Sequence, residues 1–199
     1  MQTDKRIFKT KKNLKETLIT LLEKNSFESI TVKSICEKSN TSRITFYNHY
    51  GDKYDLLDDI SKDMLGVAQN EYMKLQATNN TQRDPLLSYC NFLESILNMY
   101  YKNFNFFSHA TAHENPYLNF CFYKYILEYL EIHTQKRSSL MKPKYSIKKI
   151  AGFLCYGLWG FISESLKEKC SIDQIKAEVL KILKDTLRSE ILTENNLYK

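Results

Sequence analysis

The sequence predicts an all-α chain. A small N-terminal head of three helices carries a helix-turn-helix, and a continuous helix joins it to a larger helical body. Three observations lead there. Only 5 Gly and 3 Pro stand among 199 residues, and these two residues disfavour helices most. Apolar residues recur at three- and four-residue spacing through most of the chain, which marks amphipathic helices rather than strands. Helix-start signals, such as Asp84-Pro85, Asn115-Pro116 and Ser171, stand just ahead of those periodic runs.

The head comes first. Residues 1–10 are polar and basic and read as a frayed arm. A first helix is expected over residues 11–24, with Leu14, Leu18, Leu21 and Leu22 as its apolar stripe. Asn25-Ser26 ends it, and Phe27 and Ile30 cover a small core. Val32, Ile35 and Cys36 then bury one face of a second helix, for which Thr31 is the N-cap. Ser39-Asn40-Thr41 breaks the pattern. Asn is the non-glycine residue that best tolerates the left-handed backbone of a tight turn. Thr41 or Ser42 caps a third helix, on which Ile44, Phe46 and Tyr47 can point inward. Ser42, Arg43, Thr45, Asn48 and His49 are then left outward.

The body follows. A helix from about residue 52 to about residue 77 keeps Leu56, Leu57, Ile60, Met64 and Val67 in register, and residues 78–82 form a polar linker. The next helix opens at Asp84-Pro85 and carries Leu86, Leu87, Phe92, Leu93, Ile96 and Leu97. A short element lies near residues 105–113, and Asn115-Pro116 starts a helix through Leu118, Phe122, Tyr125, Ile126, Tyr129 and Leu130. After a basic loop over 135–143, the most apolar helix spans about 146–169. It holds Gly152, Gly157 and Gly160. Each costs on the order of 1 kcal/mol against alanine in a helix, so three together imply a close approach by another helix or a wall against a ligand. Ser171 and Gln174 make a capping-box pattern for the last helix. Two amphipathic C-terminal helices suit a dimeric four-helix bundle.

The outward face of the third helix carries chemistry suited to a DNA groove. Arg43 can donate to the acceptor edge of guanine and Asn48 can pair with adenine. Thr45, Tyr47 and His49 can donate to phosphates, and Lys53 adds a further phosphate partner. Lys33, Thr41, Ser42 and Ile44 complete the candidate DNA-binding set. Charge placement agrees. Residues 1–53 hold eleven basic and six acidic side chains, so +5 of the chain's net +6 falls in the first quarter. A basic head on a near-neutral body suits a polyanion. The plain alternative is a three-helix core with a solvated polar face, since helix-turn-helix look-alikes are common.

Residues 10–60 resemble the DNA-binding domain of the TetR/AcrR family of transcriptional regulators. Thr31, Ile35, Ser42, Thr45, Tyr47, His49, Lys53, Leu56 and Leu57 carry the resemblance, in the pattern S-x-x-T-x-Y-x-H-(aromatic)-x-x-K-x-x-L-L. Asn40 stands where glycine is usual, Thr41 where a valine-like residue is usual, and Ile44 where a small residue is frequent. The operator therefore does not carry over. The resemblance implies a DNA-binding domain over residues 1–55 and a ligand-binding and dimerisation domain over 56–199. It also implies a homodimer through the two C-terminal helices and an inducer pocket in the body.

The body is rich in aromatic residues between 89 and 161. Tyrosines in a helical bundle offer apolar walls with a hydroxyl to aim, and an aromatic stripe at helical spacing is also what a plain core looks like. Phe92, Tyr100, Phe107, Phe122, Tyr125, Tyr129, Tyr156 and Trp159 are the candidate pocket residues for an unidentified small-molecule inducer. His109 and His113 are one helical turn apart beside Glu114, but no third ligand of matching placement is visible, so neither metal nor cofactor is expected.

No nucleotide-binding glycine loop or nucleophile elbow occurs, so no enzyme and no catalytic residue are expected. The five cysteines make no C-x-x-C and suit a reducing, cytoplasmic setting. The opening MQTDKRIFKTKK lacks an apolar stretch, and no run nears the roughly 18 apolar residues of a membrane span. The expectation is a cytoplasmic, homodimeric regulator, most simply a ligand-responsive repressor on a palindromic double-stranded DNA operator. A co-regulator that binds another regulatory protein through the same scaffold is the alternative.

Overall fold

The computed structural model describes residues 2–108, 116–136, 143–189 and 191–192. For the helical residues 2–4, 105, 108, 116, 118, 119, 121 and 122 only the backbone is described. The described elements are nine helices: α1 (Gln2–Leu22), α2 (Val32–Lys38), α3 (Arg43–Tyr47), α4 (Lys53–Asn79), α5 (Pro85–Lys102), α6 (Phe104–Ser108), α7 (Pro116–Gln135), α8 (Ile147–Lys167) and α9 (Ile172–Arg188). Among the described residues no helix is long and apolar enough to cross a membrane.

The chain divides into two compact units. One holds residues 1–64 and 103–122; the other holds 65–102 and 123–199. Helices α4 and α7 each contribute residues to both.

In the first unit, α1 packs on α2 and α2 on α3. Leu14, Leu18, Leu22, Phe27, Ile35, Phe46, Leu56 and Leu57 are fully buried there, with Ile30, Cys36, Tyr50 and Ile60 nearly so. The caps match the residue types. Thr31 accepts from the Ser34 amide and Ser34 accepts from the Thr31 amide, a reciprocal pair that satisfies two backbone donors. Asp52 accepts from the amides of Tyr54 and Asp55 at the start of α4. One expectation is corrected. The helix does not start at residue 11 but at Gln2. Nothing among residues 2–10 is a glycine or proline to stop it, and the Thr10 hydroxyl donates to the Arg6 carbonyl within the added turns.

In the second unit, α9 packs on α5 and α8. Ile175, Val179, Leu183 and Leu187 of α9 join Leu86, Leu93 and Leu97 of α5 and Ile150, Leu154 and Ile162 of α8 in one core. Asp84 caps α5 through the Leu87 amide, and Ser171 caps α9 through the Gln174 amide. The polar linker expected over 78–82 starts two residues later and is tightly bonded. Helix α4 runs to Asn79, and Asn80 is buried. Its side chain donates to the Asp84 carbonyl and accepts from the Asp84 amide. Asn79 and Asn91 exchange paired amide hydrogen bonds of 3.1 and 2.7 Å.

The glycines of α8 stand open. Among the described residues, nothing lies within 4 Å of where a side chain would start at Gly152, Gly157 or Gly160. The close approach that would explain them is not made within the described chain.

Candidate nucleic-acid interface

The α2–turn–α3 segment is held by short, specific contacts. Asn40 has φ 50°, the left-handed conformation that its residue type tolerates. The Thr41 amide donates to the Cys36 carbonyl at 2.9 Å, which closes the turn behind α2. Asn13 of α1 donates to the Ser39 carbonyl at 2.8 Å and pins the turn to α1. Ser42, not Thr41, is the N-cap of α3. Its hydroxyl accepts from the Thr45 amide at 3.0 Å and is hydrogen-bonded to the Thr45 hydroxyl at 2.8 Å.

The inward and outward sets differ from the sequence reading in two places. Of Ile44, Phe46 and Tyr47, only Phe46 is buried; Ile44 is 77% exposed and Tyr47 56% exposed. With only five helical residues, one large inward side chain fills the space over α1 and α2. Ser42, Arg43, Ile44, Tyr47 and Asn48 therefore make one exposed surface, with Thr41, Thr45 and His49 half-buried along it. Lys33 is exposed on α2, 3.8 Å from Glu37. A shallow depression of about 380 Å³ among Lys33, Cys36, Glu37, Asn40, Thr41, Ser42 and Arg43 adjoins this surface.

Behind the surface, the last aromatic of the motif fixes the position of α3. Tyr50 is buried, its ring 5.9 Å from that of Phe46, and its hydroxyl donates to Asp59 of α4 at 2.8 Å. Lys11 and Lys15 of α1 reach the same carboxylate at 3.1 and 3.0 Å, and Lys15 also bonds Asp63 at 2.5 Å. Burial pushes the Asp59 carboxyl up, but the hydrogen bonds from Tyr50, Lys15 and Lys11 outweigh it and hold the group below its usual value. Burial, then the bond to Asp59, pushes the Tyr50 hydroxyl far above its usual value, so it stays a proton donor. Sequence reasoning missed this network. Its signal was two complementary spacings: Lys11 and Lys15 four apart on α1, Asp59 and Asp63 four apart on α4. The basic head is correspondingly less basic than its count suggests, because two of its lysines face α4 acids.

Lys53 is the clearest departure. The sequence set it as a phosphate partner. Its ammonium instead donates to the carbonyls of Phe27, Glu28 and Ile30 at 2.8, 3.0 and 2.8 Å. An ammonium has three protons, and this arrangement uses all of them within the chain. Desolvation lowers the Lys53 pKa, partly offset by Glu28 and Asp52. The same nitrogen sits 4.7 Å from the Phe27 ring centroid and 5.5 Å from that of Tyr54. Tyr117 of α7 joins these rings, stacked on Phe27 at 5.6 Å and edge-on to Tyr54 at 4.6 Å. One cluster thus ties the α1–α2 loop, the start of α4 and the start of α7.

The candidate pocket residues do not form one set. Phe107 is buried in the first unit. The side chain of Phe122 lies outside the described residues, as do His109, His113 and Glu114. In the second unit Phe92 stacks on Tyr129 at 4.9 Å and on His133 at 5.7 Å, and Tyr72 meets all three edge-on. Tyr72 and His133 belong to this cluster and were not singled out from sequence, each standing beside polar neighbours that mask its inward face; Tyr89, one of the aromatic residues between 89 and 161, meets His133 edge-on at 4.8 Å. The Tyr89 hydroxyl donates to Thr134 at 2.8 Å. Tyr100 is buried and meets half-buried Trp159 edge-on at 5.5 Å, and burial pushes its hydroxyl up to about 12. Tyr125 is half-buried. Tyr156 is 64% exposed, stacked on Tyr123 at 4.0 Å.

No protein-family model matches the chain. A 57-residue stretch is 40% identical to YxbF of Bacillus subtilis (strain 168), described as an uncharacterized HTH-type transcriptional regulator. That stretch is 28% of this chain and only 15% of the relative's length. Solved structures align over nearly the whole chain. A provisionally assigned TetR-family transcriptional regulator from Syntrophomonas wolfei superposes with TM-score 0.72 at 13% identity, covering 91% of this chain and 96% of its own. Thermus thermophilus FadR, a TetR-family transcriptional repressor in complex with lauroyl-CoA, superposes with TM-score 0.56 at 14% identity over 93% and 96%. A TetR-family regulator from Pectobacterium atrosepticum gives 0.53 at 16% over 92% and 94%. The α2–turn–α3 head and the helical body together give this chain the fold of the TetR-family transcriptional regulators.

Proposed function

We propose that the chain is a sequence-specific DNA-binding transcriptional regulator, a ligand-responsive homodimer that acts as a repressor on a palindromic operator. The observation that carries this is the α3 surface. Arg43, Ile44, Tyr47 and Asn48 are exposed together on a short helix whose other side is fixed by buried Phe46 and Tyr50. Arg43 and Asn48 supply base-edge chemistry, and Ser42, Thr45, Tyr47 and His49 supply hydroxyl and ring donors for phosphate. Lys33 and Thr41 flank them, and Lys53 serves as the tie that sets the start of α4.

Dimerisation is supported by α8. Phe153, Tyr156, Gly157 and Gly160 are exposed along one stripe, and a second copy laid across it would bury the rings and use the open glycines. Two α3 helices related by a two-fold axis would then read two half-sites in successive major grooves. Ligand response is supported by the aromatic interior around Phe92, Tyr129 and His133, and by analogy with the FadR complex. A ligand shifts such a protein only through different affinity for its conformers, and operator binding must weaken ligand binding by the same factor. This reading places the protein in the cytoplasm with its operator.

The test is selection of genomic fragments by the purified chain, followed by footprinting. The proposal expects a protected inverted repeat with half-site centres about one helical turn, roughly 34–36 Å, apart. Enrichment of no sequence over random DNA would overturn it and favour a protein-binding co-regulator.

A further inference from the structure

The exposed face of α3 contains a side chain that neither helix formation nor the core requires. Ile44 is 77% exposed at the second position of a five-residue helix. A β-branched residue holds a short helix less well than alanine, leucine or arginine would, and Phe46 already fills the inward position. Arg43 precedes Ile44, Tyr47 lies one turn on at i+3 and Asn48 at i+4, so the sec-butyl group stands among base-reading and phosphate-binding donors. These neighbours fit a duplex groove better than an apolar protein surface, because a groove floor presents acceptors on either side of any apolar contact.

Only one base offers an apolar group in the major groove: thymine, through its 5-methyl. We propose that Ile44 seats on the 5-methyl of one thymine in each operator half-site, next to the base pair read by Arg43. Ile44 is then a specificity residue that selects thymine by contact, while Arg43 and Asn48 select by hydrogen bonds. This inference rests on the DNA-binding reading above and specifies the chemistry of its site.

The test uses the full chain. Operator DNA is first selected from a random double-stranded library. Each thymine of the enriched half-site is then replaced singly by deoxyuridine, which deletes the methyl group and leaves the hydrogen-bonding edge intact. Affinities are measured by fluorescence anisotropy for wild type, Ile44→Ala and Ile44→Val. One thymine per half-site is expected to lose about three- to five-fold in wild-type affinity on demethylation, the worth of one buried methyl. Ile44→Ala should bind the two DNAs equally, and Ile44→Val should retain part of the discrimination. The valine variant keeps the test decisive if the alanine variant melts early. An enriched site in which every demethylation affects wild type and Ile44→Ala alike overturns the inference and leaves the DNA-binding reading standing. If no site is enriched, both fall.

Discussion

Replacing Lys53 by methionine separates a structural ammonium from a phosphate-binding one. The side-chain stem is kept; what is lost is the charge and its three hydrogen bonds to the Phe27, Glu28 and Ile30 carbonyls. Two of these bonds are partly buried and one is exposed. At about 1 kcal/mol net for each, the loss is about 3 kcal/mol. Methionine needs no desolvation of a charge, the cause of the lowered pKa of Lys53, which offsets part of that loss. The expected net destabilisation is about 2 kcal/mol, a fall of roughly 4–8 °C in Tm for a chain of this size. Lys53→Arg should not rescue it, because a planar fork cannot aim at three carbonyls that converge on one point. The assay is thermal unfolding by circular dichroism, paired with the salt dependence of DNA binding at a temperature where both proteins are folded. The slope of log K against log salt should not change. A variant with wild-type Tm whose slope falls by about one, the signature of a lost phosphate contact, would refute the assignment.

Three further substitutions probe other parts of the account. Asp59→Asn removes the carboxylate charge shared by Tyr50, Lys11 and Lys15 and leaves a single neutral amide oxygen to accept from them. Because the folded carboxyl lies below its usual value, its contribution is complete above about pH 4 and is lost as pH falls through the folded value. The variant should lose about 1–2 kcal/mol at neutral pH and show a shallower acid limb in a pH series of urea melts. Identical acid limbs would exclude Asp59 as the pin behind α3. Arg43→Ala should cost about 1–3 kcal/mol against the selected operator and almost nothing against random DNA, measured by competition anisotropy; equal losses on both DNAs would remove its base-reading role. The proposed homodimer expects wild type to sediment as a dimer and Phe153→Asp, which puts a charge on the exposed α8 stripe, to sediment as a monomer in analytical ultracentrifugation. An unchanged dimer would place the interface elsewhere.

How far the sequence could be read follows from the kind of force acting at each residue. Local rules sufficed where the constraint is local. Thr31 and Asp84 cap as their types suggest, and Asn40 takes the left-handed turn. Leu14, Leu18 and Leu22 lie in the core as their period demands. Pattern failed where the partner lies far along the chain. Nothing near Lys53 in sequence shows that three carbonyls some 25 positions back converge on its ammonium, and nothing near Tyr117 announces its stack on Phe27. Short helices were also ambiguous. A five-residue α3 has too few positions for periodicity to sort Ile44, Phe46 and Tyr47, and the limited space over α1 and α2 decides among them. In the body, aromatic content marked a ring-rich interior but could not choose its members, since Tyr156 and Phe92 have the same local appearance and opposite exposure.

The measurement closest to the central claim is the affinity of the purified chain for its selected operator, titrated by anisotropy across a series of salt concentrations with excess random DNA present. The account predicts nanomolar-range binding that survives the competitor, falls linearly in log K against log salt with a slope of several, and loses its preference for the operator in Arg43→Ala. Binding that is indifferent to salt, or no tighter for the selected site than for random duplex, would contradict it.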